Sequence, residues 1–282
     1  MPLRLLFIGD VVGKPGRAML TKIVPALVGR WGLDLVVANA ENSAAGSGLT
    51  PKDYHEIVAA GVDVLTMGDH VYRKKEILPL LADHDNICRP ANFPPEAPGR
   101  EFALATARDG SPVAVFCLLG RLFMKGVDCP FRAADRVLEQ IGASARCILV
   151  DIHAEATSDK QIMGRYLDGR ASAVLGTHTH VATADEQIFP RGTAFISDVG
   201  MTGPHDGIIG MDRAGIVQKF LDGLPRRFEV AAGNIQMNCV LIEMDDAALT
   251  PSSDGSHAYP EGAEGTRRAP AKSISRLRLR ID

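Results

Sequence analysis

Short runs of apolar and β-branched residues recur along the chain, and each run ends in small or polar residues. The clearest runs occupy residues 5–8, 35–38, 62–67, 147–152, 174–176 and 194–196. Runs that are apolar on both faces are typical of buried strands in a sheet that helices cover. We therefore predict that these segments are internal strands.

Helical patterns lie between and after the predicted strands. They cover residues 17–31, 51–60, 73–83, 131–141, 159–167 and 213–221. The predicted helix at residues 51–60 has the clearest start and stop signals, because Thr50 suits the N-cap, Pro51 suits the first turn and Gly61 suits the end of a helix. The first half of the chain is thus predicted to alternate strand and helix, as α/β folds do.

Two hairpin patterns interrupt this alternation. The first joins residues 102–107 to residues 113–119 through an Asp-Gly turn. The second joins residues 186–189 to residues 194–197 through a turn that contains Pro and Gly. Together with the buried strands, the hairpins predict an α/β sandwich of two sheets.

The composition changes near Asp246. Residues 247–272 are rich in Pro, Gly, Ser and Glu, whereas the flanking residues 237–244 and 274–281 are strand-like. We predict a single domain, residues 1–282, with a C-terminal hairpin that carries a flexible loop insertion at about 247–272. We expect this insertion to be dispensable for the chemistry.

The overall composition narrows the class of protein. The chain has 282 residues, a net charge of −3 and 46% hydrophobic residues, which excludes a disordered, collagen-like or coiled-coil protein. A slightly acidic chain lacks the basic surface that binds long nucleic acids. Any nucleotide substrate should therefore be small.

Two further features predict a cytoplasmic protein that does not associate with membranes. No apolar run approaches the roughly 20 residues that span a bilayer, and the N-terminus soon becomes rich in Gly and Asp, unlike a signal peptide. The five cysteines are scattered and show no Cys-x-x-Cys spacing, so no disulfide framework is predicted.

Side chains able to bind metal ions follow five of the predicted strands. They are Asp10, Glu41, Asn42, Asp69, His70, His153, His178 and His180. In open α/β sheets, sites form outside the carboxyl ends of the strands, so separate segments can converge there. His178 and His180 are two residues apart and can face the same side of an extended segment. The set is large enough for two metal ions that share a carboxylate.

The polar residue at each strand end can also be explained by a structural role without a metal ion. Asp10 can end a strand in a turn, Glu41 and Asn42 can lie in a solvated loop, and a lone histidine is commonly hydrogen-bonded. The glycines that follow the first strand do not match a phosphate-binding loop, because Lys14 is followed by proline. One metal centre explains all five strand ends more economically.

The sequence resembles the YmdB-like branch of the calcineurin-like metallophosphoesterases. The resemblance covers most of positions 4–245, in the blocks GDVVGKPGR, ANAENSAAGSGLT, TMGDHVYRKKEI, NICRPANFP, VDIHAEATSDK, GTHTHVATADE and ISDVGMTGPHDGIIGMD. It implies a four-layer αββα sandwich with two divalent or trivalent transition-metal ions per chain, iron or manganese. It also implies hydrolysis of small phosphodiesters, mainly 2′,3′-cyclic nucleotides and also 3′,5′-cyclic nucleotides, by in-line attack of a metal-bound hydroxide.

Carried over position by position, the resemblance implies a role for each strand-end residue. One ion would be held by Asp10, Glu41, Asn42 and His180, and Glu41 would bridge to a second ion held by Asp69, His153 and His178. His70 takes the position of the family's catalytic histidine. Asp69 stands where the family usually has asparagine, and its extra charge should strengthen cation binding while it reduces the Lewis acidity of the ions.

A polar segment after the last predicted strand offers candidates for substrate contact. Thr202, His205 and Asp206 lie in this Gly/Pro-rich segment, which we predict to be a loop. An ordinary turn explains the same residues equally well.

Two other functions are compatible with the sequence. Amidohydrolases also use a His-x-His pair, but theirs follows the first strand of a barrel, whereas this pair comes late in the chain. A regulatory or binding protein with a structural or vestigial metal centre is the second alternative, although the complete ligand set argues against lost chemistry. The expected partner is a small phosphodiester or cyclic nucleotide, and the sequence allows a homo-oligomer.

Overall fold

The computed structural model describes residues 2–124, 126–244 and 268–280. Its helices are α1 (Gly13–Trp31), α2 (Pro51–Ala59), α3 (Ile77–Asp83), α4 (Pro130–Ile141), α5 (Thr157–Tyr166) and α6 (Arg213–Asp222). Its strands are β1 (Arg4–Ile8), β2 (Asp10–Val11), β3 (Leu35–Asn39), β4 (Val64–Thr66), β5 (Ile87–Cys88), β6 (Phe102–Thr106), β7 (Pro112–Leu119), β8 (Cys147–His153), β9 (Ala173–Thr177), β10 (Gln187–Ile188), β11 (Ala194–Ile196), β12 (Met201–Pro204), β13 (Ile235–Met244) and β14 (Ala271–Arg280). Within the described residues, no helix is long and apolar enough to cross a membrane.

These strands form two sheets. The larger sheet has the order β2-β12-β13-β1-β3-β4-β5, with β14 paired to β13, and the smaller sheet has the order β10-β11-β9-β8-β7-β6. In the larger sheet β1, β3, β4 and β5 run parallel. In the smaller sheet β7, β8, β9 and β11 run parallel. The carboxyl ends of the parallel strands therefore share one edge in each sheet.

Alternate residues of the strands face different layers. In β1, Leu5 and Phe7 belong to the core between the sheets, whereas Leu6 and Ile8 pack with residues of α1, α2 and α3. The helices α4 and α5 cover the outer face of the smaller sheet. The structure is thus a four-layer αββα sandwich, and the predicted fold class is confirmed.

Two helices begin four residues from the predicted position, whereas the starts of the other helices agree with the prediction to within two residues. Helix α1 begins at Gly13 instead of residue 17, because Pro15 lies in the first turn, where the backbone N–H groups have no partner within the helix. Helix α3 begins at Ile77 instead of residue 73, because turns and bends occupy the preceding residues 69–76.

The predicted C-terminal strands pair with each other. β13 and β14 are antiparallel, with Ile242 opposite Ile274. Most of the predicted flexible insertion lies outside the described residues. Its last five residues, 268–272, do not fit the prediction, because Arg268 donates hydrogen bonds to the carbonyl groups of Gly142 and Ala145, and Ala269 is buried.

Candidate metal centre

The predicted site residues meet at the shared edge of the two sheets. Asp10 follows β1, Glu41 and Asn42 follow β3, and Asp69 and His70 follow β4. The smaller sheet contributes His153 from the last position of β8 and two histidines that follow β9, His178 and His180. All eight side chains predicted for the centre lie within this one region.

Four of these side chains form a compact group of donor atoms. In Glu41, Asp69, His153 and His178, one ligand atom of each residue lies within 4.8 Å of the others. His153 Nε2 lies 3.2 Å from Glu41 Oε1 and 3.3 Å from Asp69 Oδ1. Two carboxylates and two imidazoles at this separation could hold one transition-metal ion.

A second group of side chains also adjoins Glu41. Asn42 Nδ2 lies 3.4 Å from Glu41 Oε1, 3.5 Å from Asp10 Oδ1 and 3.1 Å from His180 Nε2, so the side-chain amide borders both carboxylates and the imidazole. Amides bind metal ions through their oxygen, and a half-turn of this amide would bring Oδ1 to the same place. His180 Nδ1 donates a hydrogen bond of 2.8 Å to the carbonyl oxygen of Ile209, so the lone pair of the imidazole is on Nε2, which faces this group. The position of Glu41 between the two groups suits a bridging carboxylate.

Gly68 shows how closely the donors approach the backbone. A Cβ atom at this position would lie 2.3 Å from Glu41 Oε2 and 2.4 Å from His153 Nε2. Only glycine therefore leaves the space in front of these donors open. This open space and the carboxylate–imidazole donor set both fit a bound metal ion.

Electrostatics also favours a cation at this edge. Burial raises the pKa of Asp10 to about 6, and the nearby imidazoles of His180 and His153 offset this effect only in part. Burial acts in the same direction on Glu41 and Asp69, but attraction to His153 and neighbouring histidines holds the pKa of both carboxyls below the usual range. Buried carboxylates are stabilised most by a compensating positive charge.

The two histidines of the compact group differ in their electrostatic surroundings. Burial lowers the pKa of His153, but the carboxylates of Glu41 and Asp69 outweigh this effect and raise it well above the ordinary value. Burial, together with the nearby His153, lowers the pKa of His178 to about 4, so its imidazole is neutral at neutral pH. A neutral imidazole is the form that coordinates metal ions.

A network that the sequence did not predict orients His153. Its Nδ1 lies 2.9 Å from Thr177 Oγ1, and the Thr177 hydroxyl donates a hydrogen bond of 2.5 Å to Asp151. The threonine oxygen is then an acceptor for the Nδ1 proton, so Nε2 faces the donor group and can bind an ion in exchange for its own proton. Asp151 is fully buried and also accepts hydrogen bonds from Asn39 and Thr66.

Thr177→Val is expected to lower metal affinity by about 10–100-fold, because it removes the acceptor that fixes the His153 tautomer. Thr66→Val is the matched control, since Thr66 donates to the same Asp151 at 2.6 Å and has no hydrogen bond to His153. Both variants should lower the free energy of unfolding by about 1–3 kcal/mol. Metal titrations of both variants, compared with thermal melts, separate the two effects. Equal metal affinities would contradict the assigned role of Thr177.

A buried ion pair fixes the loop that carries His178 and His180. Both histidines have a positive φ, 97° and 66°. Thr179, between them, donates hydrogen bonds from its backbone N–H and its hydroxyl to Asp198 Oδ2, at 3.2 and 2.7 Å. Lys160 Nζ lies 2.6 Å from the same oxygen, and both members of the pair are buried. The strained loop is thus held by contacts from two other segments.

His70 lies beside the donor groups and is partly exposed. Its Nδ1 lies 2.8 Å from Asn42 Oδ1, and its backbone N–H donates to Glu41 Oε2 at 2.9 Å. With Nδ1 engaged by the amide oxygen, Nε2 is the nitrogen available to a substrate. His70 does not belong to the compact donor group. Its position beside that group agrees with a role in proton transfer.

The three candidate substrate residues have different surroundings. Thr202 lies in β12, is fully buried and donates a hydrogen bond to the carbonyl oxygen of Asn238, so the prediction that it lies in a loop is wrong. His205 and Asp206 follow the strand, His205 partly buried and Asp206 exposed. Pairing of β12 with β13 and β2 forces the extended conformation that the Gly/Pro-rich sequence did not indicate.

The fold and the donor set together define a class. A sandwich whose parallel strands bring carboxylates, an amide and imidazoles to one edge is typical of metallophosphoesterase-type phosphatases. A solved structure described as a novel phosphatase from Mycoplasma pneumoniae has a TM-score of 0.86 and 28% identity, and covers 99% of this chain and 94% of its own. A hypothetical protein from Thermus thermophilus has a TM-score of 0.85 and 38% identity, and covers 99% of this chain and 100% of its own.

Sequence comparison narrows the class to a family. The family described as YmdB-like protein matches residues 6–253, and the chain therefore belongs to this family. A relative from Bacillus subtilis (strain 168), named 2′,3′-cyclic-nucleotide 2′-phosphodiesterase, is 49% identical over 244 residues. The matched region covers 86% of this chain and 92% of that relative.

Proposed function

We propose that this chain is a dinuclear metal-dependent phosphodiesterase that hydrolyses small phosphodiesters, mainly 2′,3′-cyclic nucleotides and also 3′,5′-cyclic nucleotides. The observation that carries the proposal is the compact donor group at the sheet edge, with Asp10, Asn42 and His180 beside it. The name of the Bacillus subtilis relative supports the class of substrate.

The donor groups give each proposed ion its own set of ligands. One ion would be held by Asp10, Glu41, Asn42 and His180, and the other by Glu41, Asp69, His153 and His178. Iron or manganese suits this mixture of carboxylate, amide and imidazole ligands. Two bound ions would lower the pKa of a water molecule and neutralise charge on the phosphoryl oxygens.

We assign protonation of the leaving group to His70. Its Nε2 would donate a proton to the departing ribose oxygen. Its Nδ1, 2.8 Å from Asn42 Oδ1 and 3.4 Å from Glu41 Oε1, would hold the ring in place. The bond from the His70 backbone N–H to Glu41 keeps this ring next to the ligands. In a 2′,3′-cyclic nucleotide, the oxygen of a water molecule would add to phosphorus, the P–O2′ bond would break, and the proton from His70 would go to O2′, which leaves a 3′-phosphate as product.

The proposal also covers the domain organisation, the localisation and the residues that contact the substrate. The protein would act as a single domain in the cytoplasm. The insertion at about 247–272, apart from its packed last five residues, would be dispensable for the chemistry. His205 and Asp206 stay candidates for substrate contact, whereas Thr202 is omitted because its side chain is buried in the sheet.

An activity panel tests the proposed reaction. Protein loaded with Mn²⁺ or Fe²⁺ is incubated with 2′,3′-cyclic AMP, 3′,5′-cyclic AMP, bis(p-nitrophenyl) phosphate and the monoester p-nitrophenyl phosphate. We expect adenosine 3′-monophosphate from the first substrate, loss of this activity after treatment with a chelator, and recovery when the metal is restored. Metal-loaded protein that hydrolyses none of the diesters would refute the proposal.

Asp69→Asn is expected to give a folded and active protein with altered metal preference. The substitution removes one negative charge from the compact donor group, so the affinity for Mn²⁺ should fall by about tenfold, equivalent to about 1.4 kcal/mol. Asp83→Asn on the exposed side of α3 is the charge-matched control. Titration with Mn²⁺ and with Fe²⁺ measures both variants. Unchanged affinity for both metals would contradict the predicted contribution of the Asp69 charge to cation binding.

A further inference from the structure

A cavity of about 300 Å³ adjoins the candidate metal centre at His180. Its polar lining consists of His180, His205, Asn238, Arg276 and Arg278, and the other described lining residues are apolar or glycine. No carboxylate is among these described lining residues. The cavity therefore shares one wall with the metal centre and has a positive charge that the centre's own ligands do not supply.

Both arginines come from one face of β14. Arg276 lies opposite Val240 and Arg278 opposite Asn238 in the pairing with β13, two residues apart on the strand. The chain as a whole is slightly acidic, so this pair is a local concentration of positive charge and no part of a generally basic surface. The alternation of apolar residues and arginine in this strand thus places two guanidinium groups at one cavity.

Most N–H donors of the two guanidinium groups have no hydrogen-bond partner in the part of the chain that the structure describes. Arg278 Nε donates to Gln236 Oε1. Arg276 Nε is buried without a hydrogen-bond partner among the described residues, and lies 3.8 Å from Glu186 Oε2. A guanidinium has five N–H donors in a planar fork that matches phosphate oxygens. Arg278 is therefore held at Nε, Arg276 lies near Glu186, and both guanidinium groups can still bind an anion.

His205 forms a neutral part of the cavity wall. Its Nδ1 donates a hydrogen bond of 2.9 Å to the carbonyl oxygen of Gly203, and its Nε2 lies 3.2 Å from Asn238 Nδ2. Burial, together with the nearby Arg278 and Arg280, lowers the pKa of His205. The positive charge of the cavity is accordingly that of the arginines.

We infer that this cavity binds a second phosphate of the substrate, next to the nucleotide whose cyclic phosphate reacts, and that Arg276 and Arg278 hold it. The inference rests on the proposed function and names the preferred substrate class: a nucleotide with a 2′,3′-cyclic phosphate and a further 5′-phosphate. The 5′-phosphate could belong to a mononucleotide or join the terminal residue of a short oligonucleotide. Guanidinium pairs suit this chemistry, because they bind phosphate with two parallel hydrogen bonds.

A binding experiment tests this subsite without hydrolysis. Titration calorimetry at low salt compares adenosine 3′,5′-bisphosphate with adenosine 3′-monophosphate on Mn²⁺-loaded protein. The two ligands share the 3′-phosphate of the expected product and differ only in the 5′-phosphate. We expect the bisphosphate to bind at least about tenfold more tightly, and this advantage to shrink as salt screens the charges.

Two variants test whether Arg276 and Arg278 cause the higher affinity for the bisphosphate. Arg276→Gln/Arg278→Gln should lose most of the advantage of the bisphosphate. Arg280→Gln should keep it, because Arg280 lies on the same strand and lines a different cavity with Lys22 and Asn234. If the double variant melts at a much lower temperature than the parent, the single variants Arg276→Gln and Arg278→Gln replace it, each with a partial loss expected.

The outcomes separate the subsite from the reaction. Equal affinity of the parent protein for the two nucleotides would overturn the subsite, and so would an advantage that persists without both arginines. Failure of the metal-loaded protein to hydrolyse 2′,3′-cyclic AMP would overturn the proposed function, whatever the binding result. A preference that depends on the arginines would still support the cavity as a phosphate site in that case.

Discussion

Glu41→Gln is expected to lower phosphodiesterase activity by on the order of 10³-fold or more, because it removes the charged oxygen proposed to bridge both ions, whose effect on water is central to such reactions. Glu41 is fully buried. Its Oε1 lies 3.2 Å from His153 Nε2, and its Oε2 accepts the backbone hydrogen bond of His70. Glutamine has nearly the same volume, so the fold should survive.

Metal content and activity should fall together in this variant. Glu139→Gln is a suitable control, since Glu139 is exposed on α4 and belongs to neither donor group. Each purified protein is analysed for metal and assayed with 2′,3′-cyclic AMP. If Glu41→Gln kept its full metal content and activity, Glu41 would have no bridging role.

His70→Ala is expected to lower kcat by about 10²–10⁴-fold, the usual loss for a general acid or base, while the metal content stays near that of the parent. The reason is geometric: Nδ1 is hydrogen-bonded to Asn42 Oδ1, and Nε2 is left for the substrate. His55→Ala is the control, because His55 lies on the exposed side of α2. Loss of metal from His70→Ala would make His70 a ligand and refute its proposed role.

A substrate with a better leaving group gives a second test of His70. Bis(p-nitrophenyl) phosphate releases p-nitrophenolate, which needs no proton donor, so the defect of His70→Ala should be much smaller with this diester than with 2′,3′-cyclic AMP. Equal defects on the two substrates would indicate that His70 acts on the attacking water or on binding and does not protonate the leaving group.

The buried strands were predictable because their periodicity is local. Apolar runs such as residues 5–8 and 147–152 place β1 and β8 within one residue at each end. β12 could not be found in this way, because Met201–Pro204 contains Gly and Pro and resembles a turn. Its extended conformation depends on pairing with β13, which lies more than thirty residues later.

The site was predictable to the extent that strand ends determine it. The rule that parallel strands present their carboxyl ends at one edge indicated which side chains would meet, before any distance was known. The residues that support these site side chains could not be predicted in the same way. Thr177 and Lys160 act through partners on other segments, and no spacing in the sequence links them to those partners. Asp151 did give a signal, since it is a lone charged residue inside an apolar strand.

Elemental analysis tests the central claim most directly. The protein is purified without chelator, reconstituted with Mn²⁺ or Fe²⁺, freed of unbound metal and analysed for metal per chain. The account predicts about two ions per chain, because the two donor groups share Glu41 and each offers enough ligands for one ion. Occupancy should fall in acid, since the imidazoles must be neutral to coordinate. No more than a trace of metal after reconstitution would contradict the account.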